Sequence, residues 1–239
     1  MKKCRGLVAT TAAVTLLIGL SLTARAAVTM SLGDTTTYSG DPSGHWDCTV
    51  GGSSIVAGEN VGVYQFNFSS GHSVWGVCIS PQGWVDYNPH AYDVLPLAST
   101  SPLNSPAWNN GGLGIAAQIL NTYLPTALNA PSGRQQDAGW ALTAAIYGAL
   151  FQGAQVTITD PTVQSYYTTF THNYTGIGSP VGYVVRPDPY TTWHNDNGSG
   201  QYYGQQFLVP VPEPSTIVAG IGAFGLLLFG AGVRSKRSA

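Results

Sequence analysis

Two uncharged apolar runs, one near each end of the chain, fix what any fold here must leave out. Between Ser215 and Val233 there is no charged residue, and a run of about 18 such residues is just long enough to cross a bilayer as a helix. Arg234, Lys236 and Arg237 follow directly. Cations beside a membrane segment stay on the cytoplasmic side, so the chain before Val211 should face outward. At the other end Lys2, Lys3 and Arg5 precede the apolar run Leu7–Leu22, and Ala24-Arg25-Ala26 offers small residues at the two positions a signal peptidase inspects. Residues 1–26 therefore read as a signal peptide cut after Ala26, and the remainder as exported. Cys4 lies in the charged leader and disappears with it.

The C-terminal parts come in a specific order: Val211-Pro212-Glu213-Pro214, the apolar helix 215–233, and the basic tail 234–239. Pro212 and Pro214 keep the motif extended and delay the helix, which leaves Glu213 open to an enzyme at the membrane surface. This order resembles the PEP-CTERM sorting signal of Gram-negative bacteria. The resemblance covers residues 211–237 and implies processing by exosortase, a membrane transpeptidase-like enzyme thought to cut near the Pro-Glu-Pro. It further implies a membrane-anchored precursor delivered to the cell surface or an exopolysaccharide matrix.

Residues 27–209 form one exported domain, long enough to bury a core. Its charge is lopsided. Counted from Ala27 to Pro214, only Arg134 and Arg186 stand among the 11 carboxylates from Asp34 to Glu213, a formal charge of −9. Phosphate binding needs clustered cations, so nucleic acid is not an expected partner. The absence of Lys from this segment also excludes internal Lys-Asn or Lys-Asp isopeptide bonds. Charged residues make up 8% of the chain, against ~25% in ordinary soluble proteins, which suits a neutral, polar, extracellular β-rich surface.

Periodicity predicts an α+β fold: a β-rich, sandwich or barrel-like outer domain with a small helical part. Val61–Phe68 alternates, with Tyr64, Phe66 and Phe68 on one face and Gln65 and Asn67 on the other. Ser69-Ser70-Gly71 then turns the chain into a paired strand from Val74 to Ile79. Leu113–Tyr123 reads as a helix stopped before Pro125. A second helix should begin at Ser132, where Ser132 and Gln135 have capping-box spacing, and continue through Leu142, Ile146 and Leu150. Val156–Thr159 follows as a strand, Thr162–Tyr174 as a helix, and Gly182–Val185 and Gln201–Val209 as late strands around the turn 195–200.

The interior carries a second resemblance. Val77-Cys78-Ile79-Ser80, then Tyr92–Leu97, Ala116–Leu120 and Ala141–Tyr147 follow the order of the thioester domain of bacterial surface adhesins. In that family a strand Cys bonds to a Gln in a helical motif resembling Gln-x-Ala-Ile-Trp, and the thioester captures nucleophiles on a surface. Cys78 matches the first motif. The helical motif departs, with Thr143 at the Gln position and Tyr147 at the aromatic one. Thr has no carboxamide to condense with a thiol, so the resemblance implies the domain with a degenerate site. A second register, through Gln136-Asp137-Ala138-Gly139-Trp140, restores Gln136 as a candidate partner of Cys78 but puts it in the helix's first turn.

After maturation Cys48 and Cys78 remain, and a pair in an oxidising compartment reads most simply as a disulfide. Its loop of about 30 residues would stabilise the domain by roughly 3 kcal/mol in the chain-entropy model. Enzyme signatures are poor. Gly71-His72-Ser73-Val74-Trp75-Gly76 has Trp75 where a nucleophile elbow needs Gly. His45-x-x-Cys48 lacks further zinc ligands. Asn195–Ser199 has Gln206 where a calcium loop needs Glu. No metal or cofactor is expected. The alternative to a structural or adhesive surface protein is a polysaccharide-binding module, using Trp46, Trp84, Trp108 and Trp193 if they share an exposed face.

Overall fold

The computed structural model describes residues 27–32, 38–57, 60–68, 73–81, 90–97, 100, 107–172, 182–187, 193–194, 201–202 and 206–210. The expected signal peptide 1–26, the expected sorting motif 211–214, the apolar run 215–233 and the basic tail 234–239 lie outside them. The elements in chain order are β1 (Ala27–Leu32), β2 (Tyr38–Gly40), β3 (Trp46–Val50), β4 (Ser53–Ser54), β5 (Val61–Phe68), β6 (Ser73–Cys78), β7 (His90–Pro96) and α1 (Gly112–Leu128). Then follow α2 (Gln135–Leu150), β8 (Gln155–Ile158), α3 (Pro161–His172), β9 (Gly182–Pro187), β10 (Trp193–His194), β11 (Gln201–Tyr202) and β12 (Phe207–Pro210). The described chain is thus mixed α+β and rich in sheet.

The main sheet runs β1-β7-β9-β12-β6-β5-β2, and β1 also pairs with β5. β1 divides its length between two neighbours: Ala27–Met30 lies against β7, and Met30–Leu32 against β5. That double pairing closes six antiparallel strands into a barrel, with β2 added outside on β5. Closure removes the open strand edges that would otherwise template aggregation.

Alternation along the strands sorts the side chains into two cores. Tyr64, Phe66, Cys78, Tyr92, Val185, Phe207 and Val209 fill the barrel. Val61, Val63, Val77, Val184 and Leu208 point the other way, into a larger core shared with the helices. The Phe66 and Phe207 rings meet at 4.5 Å inside the barrel. Gly76 makes room for them: a Cβ there would come 2.6 Å from the Leu208 carbonyl oxygen and 3.1 Å from the Phe66 ring.

α2 is the hub of the second core. It packs against α1 and α3, against β5 of the barrel and β2 beside it, and against the small sheet β4-β3-β8. Accordingly every residue from Ala138 to Tyr147 is buried. Its start differs from the capping-box expectation. The helix begins at Gln135, because Gly133 adopts a left-handed φ of 83° that interrupts the turn, and Gln135 Oε1 accepts the Gly133 N–H instead.

α1 differs at its other end, running through Pro125 to Leu128. The apolar stripe that includes Leu120, Leu124 and Ala127 continues past the proline and stays buried, so packing outweighs the lost backbone bond. Gln201–Val209, expected as one strand, splits in two. β11 pairs with β10 as a hairpin around 195–200, while β12 lies in the barrel between β6 and β9. No helix among the described residues is long and apolar enough to cross a membrane.

Phe207→Ala should expose how far the barrel depends on its aromatic filling. Removing a fully buried ring that touches Phe66 and Tyr64 is expected to cost about 3–5 kcal/mol, read as the shift in a urea unfolding curve.

Candidate functional site

Cys78 ends β6, opposite Phe207 of β12, and is fully buried. α2 brings Tyr147 to it, and the phenolic hydroxyl donates to Cys78 Sγ across 3.7 Å. Tyr147 is itself fully buried between Trp46, which it meets edge-on at 6.1 Å, and Phe151 at 5.0 Å. Burial pushes its phenol well above the ordinary value, and the neighbouring Cys78 adds to that. Cys48, on β3 in the small sheet, is equally buried. Desolvation, with Asp47 adding to it, pushes its thiol to about 12. Such a group stays protonated and is a poor nucleophile at neutral pH.

Thr143 lies one turn before Tyr147 on α2 and is fully buried, and its hydroxyl donates to the Gly139 carbonyl at 2.9 Å. The hydroxyl is therefore spent on its own helix. Gln136 does not meet Cys78. It is exposed in the first turn, where its Nε2 donates to the Ser39 carbonyl at 3.1 Å. Tyr147 is eleven residues further on, roughly 16 Å along the axis at ~1.5 Å per residue. That separation corrects the Gln136–Cys78 pairing.

The expected Cys48–Cys78 disulfide is also corrected: both are free thiols. The two belong to different sheets, with α2 packed against each, and the hydroxyl of Tyr147 engages the Cys78 sulfur. Beyond Cys78 the barrel wall holds a buried polar pair, in which the Gln206 N–H donates to Ser80 Oγ at 2.7 Å and its carbonyl accepts the Ile79 N–H. Gln206 thus belongs to the strand network rather than to a calcium loop.

His45 has a partner that its distance in sequence concealed. Its Nδ1 donates to Asp160 Oδ2 at 3.1 Å, and its ring lies on Trp140 at 4.7 Å. Asp160 caps α3, with Oδ1 accepting the N–H groups of Thr162 at 2.7 Å and Val163 at 3.2 Å. Those backbone bonds, with His45, hold its carboxyl below the usual value of 3.8. Arg134 adds a bond to Thr162 and an ion pair with Asp137 at 3.2 Å. The only sequence signal for this junction was the cap pattern Asp160-Pro161 before a helix. No group of three or more His, Cys, Asp or Glu suited to a metal occurs among the described residues.

Of the four tryptophans expected on one exposed face, the described residues place the side chains of two. Trp46 is core, with its Nε1 buried and without a partner among the described residues. Trp108 is half-buried and bridges to Phe151. Trp84 and the side chain of Trp193 lie outside the described set. Ser73, the serine of the elbow-like sequence, sits on a regular strand and donates to Asn67 at 2.5 Å. The expected sorting motif Val211–Pro214 and the expected topology cations Arg234, Lys236 and Arg237 lie outside the described residues. Comparison with protein-family models, curated proteins and solved structures finds no match for this chain.

Two outcomes are expected. Iodoacetamide at neutral pH should leave the folded mature protein unmodified and alkylate both cysteines after denaturation without reductant; a need for reductant would restore the disulfide. Asp160→Ala should cost about 1 kcal/mol at pH 7 through the lost cap. Because the folded carboxyl titrates below its unfolded value, its contribution is present above about pH 4 and fades as pH falls through the lowered value. Thermal melts across pH 2.5–7 should therefore show the wild-type advantage shrinking toward acid.

Proposed function

We propose that the protein is an exported cell-surface or exopolysaccharide-matrix protein, sorted through its C-terminal tail and serving a structural or adhesive role without enzymatic chemistry. In this reading signal peptidase removes residues 1–26 and exosortase recognises Val211–Pro214 while the helix 215–233 and the tail 234–239 hold the precursor in the membrane. One observation supports the proposal: the described barrel strands all lie between the two proposed cuts. β1 starts at Ala27, and β12 ends at Pro210. Cutting at either end spares every described barrel strand, so the processed form keeps that closed sheet.

The thioester-like interior fits a degenerate member. Where the bond would need a carboxamide beside Cys78, the helix supplies the Tyr147 hydroxyl, with Thr143 turned onto its own backbone. Incubation with methylamine should therefore leave the mass of the mature protein unchanged, as expected for a domain that holds its partners without covalent capture.

Terminal peptide mapping of protein recovered from the matrix tests the sorting reading. The expected result is a chain that begins at Ala27 and lacks residues 215–239. Recovery of the intact basic tail from matrix protein would leave a plain membrane anchor.

A further inference from the structure

The outer surface of the barrel changes character halfway along β5 and β6. At the Val63–Val77 pair it is fully buried in the core shared with the helices. The next outward pairs, Gln65–Trp75 and Asn67–Ser73, are half-buried or exposed. Beside them β2 brings Tyr38 against Val63, and the Tyr38 ring stacks on Trp75 with centroids 5.6 Å apart and planes within 5°. Tyr38 and Trp75 thus reach toward each other across β5 from strands β2 and β6, whose backbones lie roughly 10 Å apart at two strand spacings.

The chemistry of this strip is uniform. Tyr38, Gln65, Asn67, Ser73 and Trp75 carry no charge. Asn67 and Ser73 bond to each other, and Tyr38, Gln65 and Trp75 add a phenol, an amide and an indole N–H. Half-buried aromatic surface beside amide, hydroxyl and indole groups offers a sugar ring both things it needs: an apolar wall for its C–H face and partners for its hydroxyls.

Electrostatics narrows the class. The strip has no cation, and the segment around it carries a formal −9 with Arg134 and Arg186 as its cations; Arg134 is already paired with Asp137. A polyuronate or sulfated chain would meet repulsion without a compensating contact.

We infer that the Tyr38–Trp75–Gln65 strip is a binding surface for a neutral polysaccharide, which stacks on the paired rings and hydrogen-bonds to Gln65 and the ring edges. The inference stands on the barrel surface alone and is independent of how the tail is processed.

Affinity electrophoresis of the purified full-length chain in detergent, through gels containing a neutral glucan, a neutral mannan or a polyuronate, tests it. Retardation by at least one neutral polymer and none by the polyuronate is expected. Trp75→Ala should weaken the retardation at least tenfold and Gln65→Ala about threefold. Because Trp75 also packs against the core, Tyr38→Phe, which removes only a hydroxyl, and Gln65→Ala, which shortens a half-buried polar side chain, serve as milder variants, each checked by its thermal melt. Absence of retardation by either neutral polymer, unchanged retardation in all three variants, or preference for the polyuronate would overturn the inference. So would a concentration-dependent dimer that Trp75→Ala abolishes, since the strip would then be covered by a second copy of the chain.

Discussion

The architecture depends on one strand being shared. β1 gives four residues to β7 and three to β5, with Met30 common to both, and without it the main sheet would be open along the edges of β7 and β5. Closure turns one sheet face inward, and only then do Tyr64, Phe66, Tyr92 and Phe207 acquire an enclosed interior. Backbone pairing and aromatic packing here are a single cooperative requirement: the strands supply the wall, and the rings fill a barrel of this small strand number.

The outward half of the same strands needs a second cover, and α2 provides it. A helix buried over ten consecutive residues cannot be amphipathic, and this one is built from small residues that let neighbours approach closely. Gly139 is the clearest case, since a Cβ there would come 2.6 Å from the Tyr38 carbonyl oxygen. The close approach puts Tyr147 on Cys78 and Trp140 under His45. In this way α2 ties the barrel, the small sheet and the cap of α3 into one packed body.

Much of this was legible beforehand. The alternation in Val61–Phe68 matched β5, and the helical content after residue 112 was visible from apolar spacing. Boundaries failed where tertiary contacts outweighed local signals: a left-handed Gly133 delayed α2, and a buried stripe carried α1 past Pro125. For the site, the motif around Cys78 pointed to a residue at the seam of the two cores. Its partner was less legible, because two helical registers and one disulfide competed for the same sulfur. Spacing along the chain does not report which side of a buried helix faces a given strand. The His45–Asp160 pair, 115 positions apart, had no local pattern joining its members.

Sequence by itself determined the quantities that need no partner: the long uncharged run before a basic tail, the scarcity of cations between Asp34 and Glu213, and the absence of a carboxamide at position 143. These are properties of composition and order, and they hold whatever the fold. Only the tertiary structure decided which groups meet. It closed the barrel through β1, kept Cys48 and Cys78 as separate buried thiols, sank Trp46 into the core and left Trp75 beside Tyr38 at the surface. Each outcome turns on a balance of burial and pairing among segments far apart in the chain, and that balance has no value until the segments are packed.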